Sequence, residues 1–164
     1  MSDAGRSGGA GRFGRLLQER EPGAEVREFP DSTRTAEEAA AAVGCPLGQI
    51  VKSLVFSVDG ELAMGLVGGA DRVDAERLAL ALGGRAARRT DAETVRHATG
   101  YAIGGVPPFG HARPLRVVMD EGLLVHETVW AAAGSPHAVF GVAPRRLAEL
   151  AQARVAAIAA DRPA

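Results

Sequence analysis

The amino-acid sequence predicts a single α/β domain, α+β-like, in which helices flank a mixed and mostly antiparallel sheet. Three observations carry this. Short runs of β-branched and aromatic residues alternate with capped helical segments, and hairpin signals outnumber stretches long enough for a helical crossover, which favours antiparallel pairing. The chain has 164 residues, 46% of them hydrophobic, enough to bury about two-thirds of the unfolded surface in one core.

The elements follow in order. Residues 1–23 are rich in Gly and Arg, with Gly5, Gly8, Gly9, Gly11 and Gly14 interrupting any periodicity, so a flexible extension is expected there, with a short helix near residues 15–20. The domain is expected to run over 24–164. A helix over 36–43 has capping residues before it, from Asp31 to Thr35, and Glu37 and Glu38 in its first turn; Gly44 and Pro46 end it. Residues 50–58 and 61–67 form a hairpin around Asp59-Gly60. A helix over 73–82 is stopped by Gly83-Gly84. A short one reaches Ala98 from Thr90 or Asp91, with Glu93 placed for a capping box on Thr90. Strands are expected over 115–119, 123–125, 128–133 and 138–142, a helix from Pro144 to Gln152, and a last strand over 154–158.

Composition excludes several classes of function. The single Cys45 rules out an internal disulfide framework. Nineteen basic against twenty acidic side chains leave no basic field for general nucleic-acid binding, so such a partner must be gripped locally. No stretch is long and apolar enough to cross a membrane, and the first 25 residues lack the apolar run of a secretory signal, so a cytoplasmic location is expected. His97, His111, His126 and His137 show no metal-ligand spacing, and neither metal nor cofactor is expected. No Walker or dinucleotide fingerprint is present.

One count is unusual. Eighteen of the nineteen basic residues are Arg, and the lone lysine is Lys52. Strand alternation puts it on a face with Ile50, Leu54, Phe56 and Val58, the more apolar of the two. An amine there either snorkels to solvent from the strand end or lines a cavity with a polar or anionic partner.

Two loops accompany it. In residues 99–110, Gly104-Gly105 permit close approach of a ligand to backbone N–H groups, and Pro107-Pro108-Phe109 fix the chain beyond them, a composition able to hold a carbonyl oxygen or a phosphate. In the turn Gly134-Ser135-Pro136-His137, His137 opens a strand and can relay a proton near neutral pH, although turn histidines are commonly surface residues. Ser135 has no nucleophile-elbow context. Arg85, Arg88 and Arg89 read as a solvated face that can also meet phosphates.

In order, the segments from Gly48 to Phe56, from Thr99 to Gly110 and from Ala133 to Phe140 resemble the YbaK/EbsC family, which includes the editing domain inserted in bacterial prolyl-tRNA synthetases. The likeness spans residues 35–158. It implies a mixed fold with a curved central sheet and activity as a freestanding deacylase of mischarged tRNA, Cys- or Ala-tRNA(Pro) above all. The aminoacyl-tRNA acceptor end is the implied partner, with prolyl-tRNA synthetase as a further one. The resemblance places Lys52 in the pocket as the catalytic position, Gly104, Gly105 and Phe109 around the aminoacyl group, and Gly134, Ser135 and His137 in a second pocket turn. The alternative is a noncatalytic module binding a nucleotide, an aminoacyl-adenosine or a synthetase surface.

Overall fold

The computed structural model describes residues 8–161. Its elements are α1 (Gly9–Arg20), β1 (Glu25–Glu28), α2 (Ala36–Val43), β2 (Ile50–Val58), β3 (Glu61–Gly68), α3 (Ala75–Ala81), β4 (Ala87–Arg89), α4 (Ala92–Thr99), β5 (Arg116–Asp120), β6 (Val129–Ala132), β7 (Ala138–Val142), α5 (Pro144–Ala151) and β8 (Arg154–Ala156). One mixed sheet runs β1-β7-β6-β2-β3-β5-β8, with β4 paired to β2. Pairs β1/β7, β2/β3, β2/β4 and β6/β7 are antiparallel; β2/β6, β3/β5 and β5/β8 are parallel.

Local chemistry explains the elements that matter for the site. α2 begins in a complete capping box: the Thr35 side chain accepts from the Glu38 N–H at 3.1 Å while the Thr35 N–H donates to Glu38 Oε1 at 3.2 Å, and Gly44 ends the helix in the left-handed region. Asp59 and Gly60 both have positive φ, the backbone a two-residue hairpin requires between β2 and β3.

The sheet is covered on both faces. On one side α1, α4 and α5 enclose a core that includes Phe13, Leu17, Val51, Val55, Val95, Phe140 and Leu147. On the other, α3 packs on Phe56, Val58, Ala63 and Val118, and a separate small cluster under α2 joins Ala39, Ala40, Ile50, Trp130 and Val139. Burial on both faces accounts for the near-continuous apolar character of β2 and β3.

Four expectations need correction. The short helix expected near residues 15–20 is present but begins earlier, so that residues 9–14 belong to helix α1 instead of a flexible extension, with Phe13 and Leu17 at 0% and 2% exposure; residues 1–7 lie outside the described residues. The glycines that break the local pattern are tolerated because Phe13 and Leu17, one turn apart, bury the helix by tertiary packing. The Phe13 ring lies 5.1 Å from Phe109 and 5.3 Å from Phe140. Residues 123–125 belong to a 3-10 turn, Glu121–Val125, because the buried Asp120 carboxylate accepts from the Gly122 N–H as well as from those of Ile158 and Ala159, each at 2.9 Å. The cap of α4 is Asp91, accepting from the Thr94 N–H at 2.7 Å. Thr90 instead turns its hydroxyl to the Val55 carbonyl at 3.2 Å. Strands β1 and β4 were not expected; both are short and mostly exposed, so no alternation marks them.

If α1 is part of the core, Phe13→Ala should cost about 3–5 kcal/mol of unfolding free energy, the range for emptying a buried aromatic site. Urea denaturation with the m-value held unchanged measures this. A variant within about 0.5 kcal/mol of the parent would restore the flexible reading.

Candidate active site

The site originates in a fork in the sheet. β6 pairs with β2 only at Ile50 and Val51, and β4 joins β2 only from Phe56 onward. Between them, Lys52 to Val55 have β3 on one side and no strand on the other. A cavity of about 270 Å³ fills this gap, lined by Lys52 to Val55 of β2, Arg34 to Ala36 and Ala39 around α2, Ile103, Gly104 and Val106 of the 99–110 loop, Arg89, Val95, and Trp130, Ala132 and Val139 of β6 and β7. Apolar side chains make most of the wall. The polar groups are few and gathered at the fork.

Lys52 occupies a seam between two apolar clusters, since Ile50 on its face belongs to the α2 cluster and Phe56 and Val58 to the α3 cluster. Its ammonium donates to the Asp71 carbonyl. Burial pushes its pKa below the ordinary lysine value, opposed by the carboxylates of Asp71 and Glu37 and assisted by the cations Arg89 and Arg72. The lone lysine, half-buried, lines the cavity. Arg34 and Arg89 line the same cavity, the latter with its guanidinium 5.7 Å from the Phe56 ring centroid. Three cations of a chain of net charge −1 thus line one cavity.

Ser53 is next to Lys52 and lines the cavity too. Among the described residues its Oγ is the buried side-chain oxygen without a hydrogen-bond partner. Such an oxygen gains most from an incoming ligand, because its desolvation is already complete.

The glycine-bearing loops meet backbone to backbone. Gly104, with φ +96, lines the cavity opposite Arg34. Gly105 lies against Ser135 so closely that an added Cβ would fall 2.5 Å from the Ser135 Cα. Here the absence of a side chain is a packing requirement rather than a turn preference.

Of the seven residues expected at the site, Lys52 and Gly104 line this cavity, and Gly105 lies between two residues that do, Gly104 and Val106. Phe109 does not line it; 4% exposed, it sits in the aromatic core with Phe13 and Phe140. Ser135 and His137 face a second cavity, of about 390 Å³, between α1, β1 and the turn. The His137 Nδ1 is 3.2 Å from the Phe29 carbonyl, and Gly134 is pressed against α1. Residue spacing could not separate the two sides of the turn, because both cavities adjoin it. Sequence reading also missed Arg34, Ser53 as a lining group, Ile103 and Trp130. Arg34 had a signal in its position just before the Thr35 cap; Trp130, the only tryptophan, had none.

Comparison with known proteins gives the family. The family model described as aminoacyl-tRNA editing domain matches residues 30–150. An uncharacterized protein of Bacillus subtilis (strain 168), YwhH, is 34% identical over 132 residues, 80% of this chain and 83% of that protein. The proline–tRNA ligase of Thermosipho africanus (strain TCF52B) is 34% identical over 95 residues, 58% of this chain but 17% of the ligase. A solved structure proposed to be a trans-editing enzyme for prolyl tRNA synthetase superposes with a TM-score of 0.87 at 46% identity, covering 94% of this chain and 99% of that one.

The loop is also held from behind by His111, whose Nε2 lies 2.7 Å from the Pro107 carbonyl. Burial pushes the His111 pKa below its ordinary value near 6.5, opposed by the bond to Pro107. With the folded pKa depressed, the unfolded chain binds the extra proton first as pH falls, so the stabilisation is complete above about pH 6.5 and is lost as pH drops through the folded value. Calorimetric melting should show a steeper loss of Tm between about pH 7.5 and 5 in the parent than in His111→Gln, which does not titrate there. Parallel pH profiles would remove His111 from this role.

Proposed function

We propose that this chain, which belongs to the aminoacyl-tRNA editing domain family, hydrolyses the ester of a mischarged tRNA, Cys- or Ala-tRNA(Pro), with Lys52 at the centre of its pocket. As an editing enzyme of this family it is an aminoacyl-tRNA deacylase. The observation that supports the choice of site is the position of Lys52: the single lysine lines a mostly apolar cavity where β2 lacks a neighbouring strand on one edge.

The chemistry suits these parts. An aminoacyl ester is already activated, so the site must orient it, place a water or a substrate group on its carbonyl carbon, and stabilise the oxyanion that develops. Hydrolysis then forms a bond from the attacking oxygen to that carbon, breaks the bond to the ribose oxygen, and returns the proton to the departing hydroxyl of the terminal adenosine. No protein nucleophile is required.

Each role has a candidate at the fork. Lys52, with Arg34 and Arg89 beside it, supplies positive charge for the ribose and phosphate of the acceptor end, as phosphate contacts position a nucleic acid without reading its bases. Ser53 and the Gly104 backbone, both in the cavity lining, are the candidates for hydrogen bonds to the ester. Ala36, Ala39, Ile103, Trp130 and Val139 limit the space left for the side chain. A cavity of about 270 Å³ that also admits part of a ribose favours a small aminoacyl group, in keeping with alanyl or cysteinyl. Prolyl-tRNA synthetase is the proposed partner for tRNA delivery, since a net charge of −1 gives this chain little long-range attraction for tRNA.

The test is a panel of Cys-, Ala-, Ser- and Thr-charged tRNAs incubated with purified protein. Release of at least one amino acid is expected, and Lys52→Ala should lower kcat/KM on that substrate by about 100-fold, comparable to deleting one oxyanion donor. Lys52→Arg should fail to restore it, because a planar fork does not replace a compact ammonium in this space. Survival of every ester, or saturable binding without turnover, sinks the reading.

A further inference from the structure

α1 touches both glycine-bearing turns from the side away from the cavity. Gly9, Arg12, Phe13 and Leu16 share one stripe at i, i+3, i+4 and i+7. Gly9 lies against the Gly134 carbonyl and beside the Tyr101 ring, and a Cβ on Gly134, where φ is +98, would fall 2.5 Å from the Gly9 oxygen. On its other side the same turn presses Ser135 onto Gly105. Helix, turn and loop thus stack in three backbone layers, and the residues flanking Gly105 in the last layer, Gly104 and Val106, form cavity wall.

Arg12 adds a second line of contact. Its Nη2 donates to the Gly100 carbonyl at 2.6 Å, where α4 ends and the loop begins, and its guanidinium stands 5.0 Å from the Tyr101 ring centroid. A charged donor on a carbonyl at a loop's root, combined with a ring contact on the next residue, restricts where the loop can go. Arg12 is itself exposed. Its side chain contributes little to the core that Phe13 and Leu17 build.

We propose that α1 is a strap that sets the size of the aminoacyl group accepted, with Arg12 and Gly9 as positioning residues. Arg12 acts through Gly100 and Tyr101, Gly9 through Gly134 and Ser135, and both converge on Gly104. This rests on the ester-hydrolysis reading above. The physical reason is that small displacements of a wall in a tight site alter both the orientation of the ester and the discrimination between neighbouring side-chain sizes.

The experiment compares the full-length parent with Arg12→Ala, Arg12→Lys and Gly9→Ala, and with Arg15→Ala, an exposed position on the outer side of the same helix. The cleaved ester is assayed beside its next larger neighbour. Arg12→Ala should lower kcat about tenfold with a smaller change in KM, and should narrow the kcat/KM ratio of the two esters by roughly threefold, within the range of discrimination a few atoms provide. Arg12→Lys, which can still donate to Gly100, should recover part of both. Gly9→Ala should shift the same ratio, and Arg15→Ala should leave it unchanged. Parent values in both Arg12→Ala and Gly9→Ala overturn the strap. So does a uniform loss on both esters that tracks a fall in Tm, since that is the mark of a purely structural helix. A parent inert on every ester overturns the deacylase reading instead. The positioning of the Gly104 wall by α1 is then judged on the backbone amide resonances of Gly104 and Gly105: displacement in Arg12→Ala but not in Arg15→Ala upholds that positioning, and unmoved resonances overturn it.

Discussion

The organising constraint is the demand of β2 for partners. A strand's backbone N–H and C=O groups must be paired on both edges or meet water or ligand, and β2 is served by three different strands. β3 covers one edge along its length, while β6 and β4 divide the other and leave Lys52 to Val55 between them. Everything chemically distinctive gathers there: the lone lysine, the unpartnered Ser53 hydroxyl, two arginines, and the loop that carries Gly104. The fork makes a cavity at the middle of a sheet whose central strands β2 and β3 are packed on both faces. It also explains why a charged amine is tolerated beside Ile50 and Phe56, since it lies in the seam between the clusters to which they belong.

A second requirement follows from the first. A wall made of glycine turns has little side-chain packing of its own, so it must be supported from outside. Gly105 against Ser135, and Gly134 against Gly9, are contacts in which backbone serves as packing surface. Phe13 anchors the helix behind them in the ring cluster with Phe109 and Phe140. His111 holds the far end of the same loop through the Pro107 carbonyl. The pocket is thus one shell of a structure whose rigidity comes from the aromatic core.

Legibility in the sequence divided along physical lines. Elements governed by local rules were readable: the Thr35 cap of α2, the Asp59-Gly60 hairpin, and Pro144 at the start of α5. α1 was not, because glycines lower its intrinsic helicity and only tertiary contact of Phe13 and Leu17 stabilises it. β4 was not, because a three-residue strand exists through its neighbour. Within the site, Lys52 was legible from alternation and Gly104 from loop composition. Phe109 was misassigned for a related reason: an aromatic next to a glycine-rich loop looks the same in sequence whether its ring turns toward a pocket or toward a core.

By itself, the sequence determined the mixed fold, the bounds of α2, the hairpin, the family and the apolar face that holds the lysine, because each depends on neighbours a few residues apart or on motifs in fixed order. Only the tertiary structure decided that Lys52 lines a cavity, that Arg34 and Ser53 join it, that His137 lines another cavity, and that the first helix packs on the Gly134 turn. Those outcomes depend on which strands stop short of β2 and on which glycine meets which backbone. They are contacts between residues about 30 to 125 positions apart, for which strand alternation and capping carry no information.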